Sequence, residues 1–155
     1  MAVRKKATKT KAAKKKAANK RAKVTLAQEK SRLERNKKLV IAFYQKLIGE
    51  KDAEAARRFM GEPYVQHSPY AQDGHEGVAE FVKGFRQQFP RHHYDVKRVI
   101  AEGDFVVLHL HGQEGLYPHG EAVIDIFRVV DGRVVEHWDV IQALPEQSRN
   151  ANTPF

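Results

Sequence analysis

The sequence contains no cysteine, which removes disulfide frameworks, thiolate metal sites and a cysteine nucleophile. It has no apolar run approaching the roughly 20 residues needed to span a bilayer, and its N-terminal residues lack the apolar core of a secretion signal. The expectation is a cytoplasmic protein with no membrane partner. A third absence is local: residues 1–23 hold eleven Lys and Arg and no acid. The formal charge of +9 belongs to that segment, because the remainder sets seventeen bases against 19 acids, a balance of −2.

Residues 1–23 also have hardly any bulky apolar side chain, so ordering them would not be offset by burial. The division expected is a basic Lys/Ala-rich tail over 1–32, disordered at least to residue 23, followed by one domain over 33–155. A Lys-rich segment of this kind either attracts nucleic acid or another polyanion without sequence preference, or is a solvated tail. It has no aromatic residue to stack on bases.

What is present beyond the tail is periodic. Leu33, Leu39, Val40, Phe43, Tyr44, Leu47 and Ile48 follow a helical repeat that Gly49 closes. A short helix follows at 52–59 with Asp52 as its cap, and a third at 78–89, ended by Pro90. Between them 62–69 is extended and bracketed by prolines. The repeat then changes to two, and 94–101, 104–111, 121–130 and 133–143 read as strands. Helices first and antiparallel strands after them predict an α+β fold, with a curved sheet around about three helices.

Asp131-Gly132 between two β-prone runs marks a hairpin. A two-residue type I′ turn would put Asp125 on the face of Trp138, whereas a three-residue loop with a bulge at Gly132 would put Asp125 with His137 and Asp139.

Eight histidines is a high count for 155 residues. Alternation puts His109 and His111 on one face of their strand, and His67 falls at the end of the extended stretch. Asp125 stands in a run of β-branched and aromatic residues, where desolvation favours its protonated form, or where Arg98 or Arg128 would pair with it. His137 and Asp139 share a face on either side of Trp138, which reads as a packing residue. His75, His92 and His119 fall in loops and read as solvated surface. The histidines have no spacing that specifies a metal, so neither a metal nor a cofactor is expected.

Ala122–Asp139 (AVIDIFRVVDGRVVEHWD), with YVQHSP from Tyr64, GDFVVLHLHG from Gly103 and the closing NANTPF, resembles the nuclear transport factor 2-like superfamily, and within it the SnoaL-like polyketide cyclases and aldol-condensation enzymes. The resemblance covers Leu33 to Phe155. It implies a cone-shaped barrel of curved, mostly antiparallel sheet on helices, a deep pocket and a homodimer. DIFR resembles the segment of ketosteroid isomerases in which a protonated aspartic acid donates to an oxyanion, the position of Asp125. His67, His109, His111 and Asp139 fall where limonene epoxide hydrolases place an asparagine, an arginine and two aspartates. The histidines at 109 and 111 depart from that set and speak against epoxide hydrolysis. In SnoaL-like cyclases a histidine and an aspartate move the protons, which implies His109 or His111 with Asp125 here, and the correspondence favours the bulged hairpin.

The expected function is thus cofactor-independent acid–base chemistry, an aldol cyclisation or isomerisation, on a small carbonyl compound. Asp125, His109, His111 and Asp139 would be catalytic. His67, His137, Tyr64, Phe127 and Trp138 would bind or orient. The alternative is a non-catalytic module of the same fold that holds a small ligand or a protein.

Overall fold

The computed structural model describes residues 25–155, so the expected disorder of residues 1–23 and the polyanion binding assigned to them lie outside the described residues. Helix α1 runs Leu26–Tyr44 and continues as a π-helical turn, Gln45–Gly49. It begins seven residues before Leu33 because Thr25 and Gln28 form a reciprocal cap. The Gln28 amide donates to Thr25 Oγ1 (3.2 Å) and the Thr25 amide donates to Gln28 Oε1 (2.9 Å). Those first turns are polar, so hydrophobic periodicity does not register them. The chain leaves the helix through Lys51, in the left-handed region at φ 53°.

Helix α2 (Ala53–Arg57) starts where Asp52 Oδ1 accepts the Ala55 amide at 2.9 Å. Strand β1 (Met60–Gln66), helix α3 (Gly74–Gln88) and strands β2 (His93–Glu102), β3 (Phe105–Gln113), β4 (Glu121–Val130) and β5 (Arg133–Ala143) follow. The sheet order is β1-β5-β4-β3-β2, with β1 parallel to β5 and every other pair antiparallel. The sheet is mixed and stays open instead of closing into a barrel.

One sheet face packs on the helices. Val106, Leu108 and Leu110 of β3, Phe127 and Val129 of β4, and Val134 of β5 are buried there with Val40 and Phe43 of α1. Phe43 meets Phe127 edge-to-face at 5.7 Å. No helix among the described residues is long and apolar enough to cross a membrane.

Candidate active site

The β4–β5 hairpin decides which side chains meet. Val130 pairs with Arg133 across Asp131 and Gly132, both at positive φ (49° and 71°), so the turn is the two-residue type I′ form. Left alone, that turn would set Asp125 against Trp138. The register shifts by one after the Val129–Val134 pair, and from there Arg128 faces Glu136, Phe127 faces His137 and Asp125 faces Asp139. The bulge expected at Gly132 sits instead on β5 beside Val135. The face predicted for Asp125 is right and the turn predicted for it is not.

Asp125 is 4% exposed. Its Oδ1 lies 2.9 Å from His137 Nε2, and His137 Nδ1 lies 2.8 Å from Gln66 Oε1. The protonation pattern follows from the far end of this chain. Gln66 Oε1 also accepts the Ser68 backbone amide at 2.9 Å, and an amide N–H can only donate. The Gln66 atom is therefore the carbonyl oxygen, and His137 Nδ1 must carry a hydrogen to meet it. One proton is left to share between His137 Nε2 and Asp125 Oδ1, which stand either as imidazolium and carboxylate or as imidazole and carboxylic acid. Phe127 stacks on the imidazole (4.7 Å, 21°) and holds its plane.

The second carboxylate oxygen, Oδ2, is buried with no hydrogen-bond partner. Tyr44 interacts with the carboxylate without reaching full hydrogen-bond geometry. Burial, followed by the Asp125 carboxylate, holds the Tyr44 phenol well above its ordinary pKa. The Tyr64 phenol is raised for the same two reasons, in the same order. Both tyrosines therefore keep their hydroxyl protons at any physiological pH and remain donors.

These groups line one cavity of about 480 Å³, a volume suited to a small organic ligand. Leu47 and Ile48, Val78, Phe81 and Phe85 of α3, and Val123 and Ile141 of the sheet make its walls apolar. Of the residues predicted to act, Asp125, Asp139, His137, Tyr64 and Phe127 line it. Donor atoms of Asp125, His137 and Asp139 all lie within 4.8 Å of one another, so this trio could also hold a metal ion.

His109, His111, His67 and Trp138 do not reach the cavity. The β3–β4 register sets Leu108, not His109 or His111, opposite Asp125, so the two histidines point to the outer sheet face. There His109 Nδ1 accepts Arg98 Nη1 at 2.8 Å, and the Phe155 ring lies 5.4 Å from His109 and 4.5 Å from His111. Desolvation and then Lys97 lower the His111 pKa. His67 stacks flat on Trp138 (4.6 Å, 4°) and pairs with Glu136 at 2.9 Å. Arg128 pairs with Glu136, so neither arginine considered for Asp125 serves it.

Two expected surface histidines are not surface. His75 Nε2 lies 3.0 Å from the Gly61 carbonyl with its side chain 10% exposed, and His92 is 7% exposed at the cavity wall. His92 faces Glu121, 2% exposed, which the sequence reading did not single out. The signal was there: Glu121 and Asp125 are four apart on one strand and must share its face.

Residues 38–147 match the family model of the SnoaL-like polyketide cyclases. Among solved structures, AclR of Streptomyces galilaeus, a candidate hydroxylase, is 23% identical with a TM-score of 0.59, over 71% of this chain and 90% of its own. IdmH of Streptomyces antibioticus, a candidate polyketide cyclase, is 22% identical with a TM-score of 0.58, over 68% and 91%. A nuclear transport factor 2-like protein of unknown function from Cytophaga hutchinsonii is 17% identical with a TM-score of 0.57, over 69% and 89%. At these identities the likeness is one of fold. No curated protein matches the chain.

Proposed function

The chain belongs to the SnoaL-like polyketide cyclase family, and on that premise we propose that its cavity moves protons at carbon next to a carbonyl, in an intramolecular aldol cyclisation or an isomerisation. The observation that carries the reading is the Gln66–His137–Asp125 chain, which ends on an unpartnered carboxylate oxygen in an apolar cavity. The roles differ from those expected from sequence. His137 replaces His109 and His111 as the histidine. Both of its nitrogens are engaged, so the atom free to meet substrate is Asp125 Oδ2.

In the ion-pair form, Asp125 is the base. Oδ2 takes the α-proton, the C–H electron pair passes into the enolate, and the imidazolium of His137 stabilises the carboxylate until then. Charge developing on the enolate oxygen is met by the hydroxyl of Tyr44 or Tyr64, donors that need no reorganisation. Asp125 then returns the proton, to the alkoxide formed when the enolate carbon attacks a second carbonyl, or to another carbon in an isomerisation. Asp139, opposite Asp125 across the β4–β5 ladder, would accept from a water and so position it. Acids and bases suffice for these steps, so no cofactor enters the reading.

The test is deuterium exchange at the α-carbon of β-keto esters and diketones in D2O, followed by NMR. Asp125→Asn should slow enzyme-catalysed exchange by about 10²–10⁴-fold, the usual worth of a positioned acid–base group, with circular dichroism unchanged. Exchange at the wild-type rate in that variant defeats the reading.

The same reading includes a homodimer formed through the outer sheet face, where Ile100 (59% exposed), Phe105 (44%) and Val140 (66%) leave apolar surface open. Val140→Lys should shift sedimentation from dimer to monomer. A wild-type chain that sediments as a monomer removes the dimer.

A further inference from the structure

The inner face of β4 carries a second carboxyl group, Glu121, at the far end of the same cavity. Four residues of strand separate it from Asp125, which is about 13 Å along the backbone. Glu121 Oε1 faces His92 Nε2 at 3.5 Å, an ion-pair distance too long for a good hydrogen bond. Glu121 Oε2 and His92 Nδ1 have no partner although both atoms are buried. Together with Asp125 Oδ2 they are the three orphaned buried side-chain atoms among the described residues, and all three residues line the cavity.

The local backbone is shaped to admit this pair. A Cβ at Gly112 would lie 2.7 Å from Glu121 Oε1, and one at Gly115 would lie 2.6 Å both from Glu121 Oε1 and from His92 Cδ2. Only the absence of side chains at those two positions leaves room for the carboxyl group and the imidazole. His92 is fixed further by the edge-to-face contact of Phe85 (4.9 Å) and by Lys51, which donates to its backbone carbonyl at 2.8 Å.

The charge of the lining is one-sided. Glu80, Glu121, Asp125 and Asp139 face the cavity, and no Lys or Arg among the described residues lines it. An anionic ligand would meet Glu121 at one end and Asp139, beside the net-neutral Asp125–His137 pair, at the other, in a setting where apolar walls strengthen the repulsion. The far end therefore offers a buried, orphaned carboxylate oxygen, Glu121 Oε2, beside an imidazole nitrogen that is also without a partner, and no Lys or Arg among the described residues matches its charge.

We propose that Glu121 and His92 form a recognition subsite for a protonated amino group, and that the ligand is an elongated apolar amine that directs its other end to Asp125. An ammonium supplies a donor for Glu121 Oε2 and the counter-charge for that carboxylate in one group. Its entry relieves a buried carboxylate that otherwise has a single loose partner. The direction of the ligand rests on the reading of the Asp125 end as the reacting end, whereas the preference for an amine does not.

Calorimetric titration of the full-length protein with phenylbutylamine, phenylbutanol and phenylbutanoate separates the two. The amine should bind tightest and the carboxylate weakest, with about a tenfold or greater gap between them, the worth of one charge-assisted hydrogen bond. Glu121→Gln should close the gap, and Asp125→Asn should leave it open. Equal binding of amine and carboxylate by the wild type overturns the subsite without recourse to any variant. Equal binding of amine and alcohol overturns the assignment to a cation. A gap that survives Glu121→Gln, or that Asp125→Asn alone closes, places the discrimination elsewhere and also overturns it. The titration needs no turnover, so a protein that exchanges no α-proton yet keeps the series refutes the proposed reaction and leaves the subsite standing.

Discussion

The two faces of the sheet use the same residue types to opposite ends. On the outer face His109, His67 and Glu136 are paired: His109 accepts from Arg98, while Glu136 takes both His67 and Arg128. No arginine or lysine among the described residues lines the cavity on the inner face, and His137 and Asp125 have one proton to share between them. A guanidinium has no proton to give up, so a histidine or carboxylate bonded to one cannot draw a proton from it. An imidazole and a carboxylate that share one proton can exchange it with a guest. Chemistry at this sheet is therefore decided by which partners alternation delivers to each face, and only secondarily by how many histidines there are.

The sharpest break of that comparison is kinetic. Relative to the exchange rate of the wild type, His137→Ala should cost about 10²–10³-fold because Asp125 loses its proton partner. His109→Ala, His111→Ala and His67→Ala should each stay within about twofold, since none touches the cavity wall. α-Proton exchange rates across the four variants measure this. A large loss from His109 or His111, with His137→Ala active, would move the chemistry to the outer face.

The next break is in stability. Phe127 is 1% exposed on the inner face, and Phe105 is 44% exposed on the outer one. Phe127→Ala should destabilise by about 3–5 kcal/mol, the cost of a large cavity in a packed core, whereas Phe105→Ala should stay below about 1 kcal/mol. Urea unfolding at one fixed protein concentration compares them. Equal costs would mean that the outer face is covered as fully as the inner one.

The same two faces explain what the sequence made legible. Strands β4 and β5 were found to the residue, because a β-prone run on either side of Asp131-Gly132 leaves little freedom, and His137 with Asp139 followed from alternation, whereas Asp125 joined them only through the bulged hairpin that the family resemblance favoured. The bulge beside Val135 was invisible, since nothing in Arg133-Val134-Val135-Glu136 marks where a ladder skips one residue. His109 and His111 were assigned the wrong side for a related reason. Alternation within β3 says that they share a face with Phe105 and Val107, but only the register against β4 says that this face is not the one bearing Asp125. His92 was misread because the space for its ring depends on a glycine 23 residues further on in the chain, Gly115. The missed start of α1 was legible after all, in Thr25 and Gln28.

A smaller contrast concerns pH. The hydrogen bond from His67, with Arg128 in support, lowers the Glu136 pKa against the opposing effect of desolvation. A carboxylate whose folded-state pKa is depressed adds stability that is fully present above the unfolded value and is lost as pH falls through the folded one. Glu136→Gln should therefore cost up to about 1 kcal/mol at neutral pH, modest because solvent screens the partly exposed Arg128 and His67. The cost should fade as pH drops below the ordinary glutamate range. Urea midpoints of both proteins from neutral to acid pH test the sign, and a cost that grows on acidification would reverse it.

The smallest expected effect is that of metal removal, and it bears on the one arrangement in which the inner face resembles a different kind of site. Asp125, His137 and Asp139 bring three donor atoms within 4.8 Å of one another, enough to begin a coordination shell. The hydrogen bonds argue for protons instead. His137 Nδ1 is committed to Gln66 and Nε2 to Asp125 Oδ1, so an ion bound by the imidazole would have to displace one of these two bonds before gaining a ligand. It would also tie up the carboxylate that the proposed reaction needs as a base. Exchange rates measured before and after dialysis against a chelator should agree within about twofold, a change too small for the loss of a catalytic ion. Readdition of zinc or manganese should slow the reaction if it has any effect, by occupying Asp125 and Asp139. A rate that collapses on chelation and returns with one metal ion per chain would show that the inner face holds a cation where the proton dyad is placed here, and would leave the outer face, with His109 bonded to Arg98, as the only part of the comparison intact.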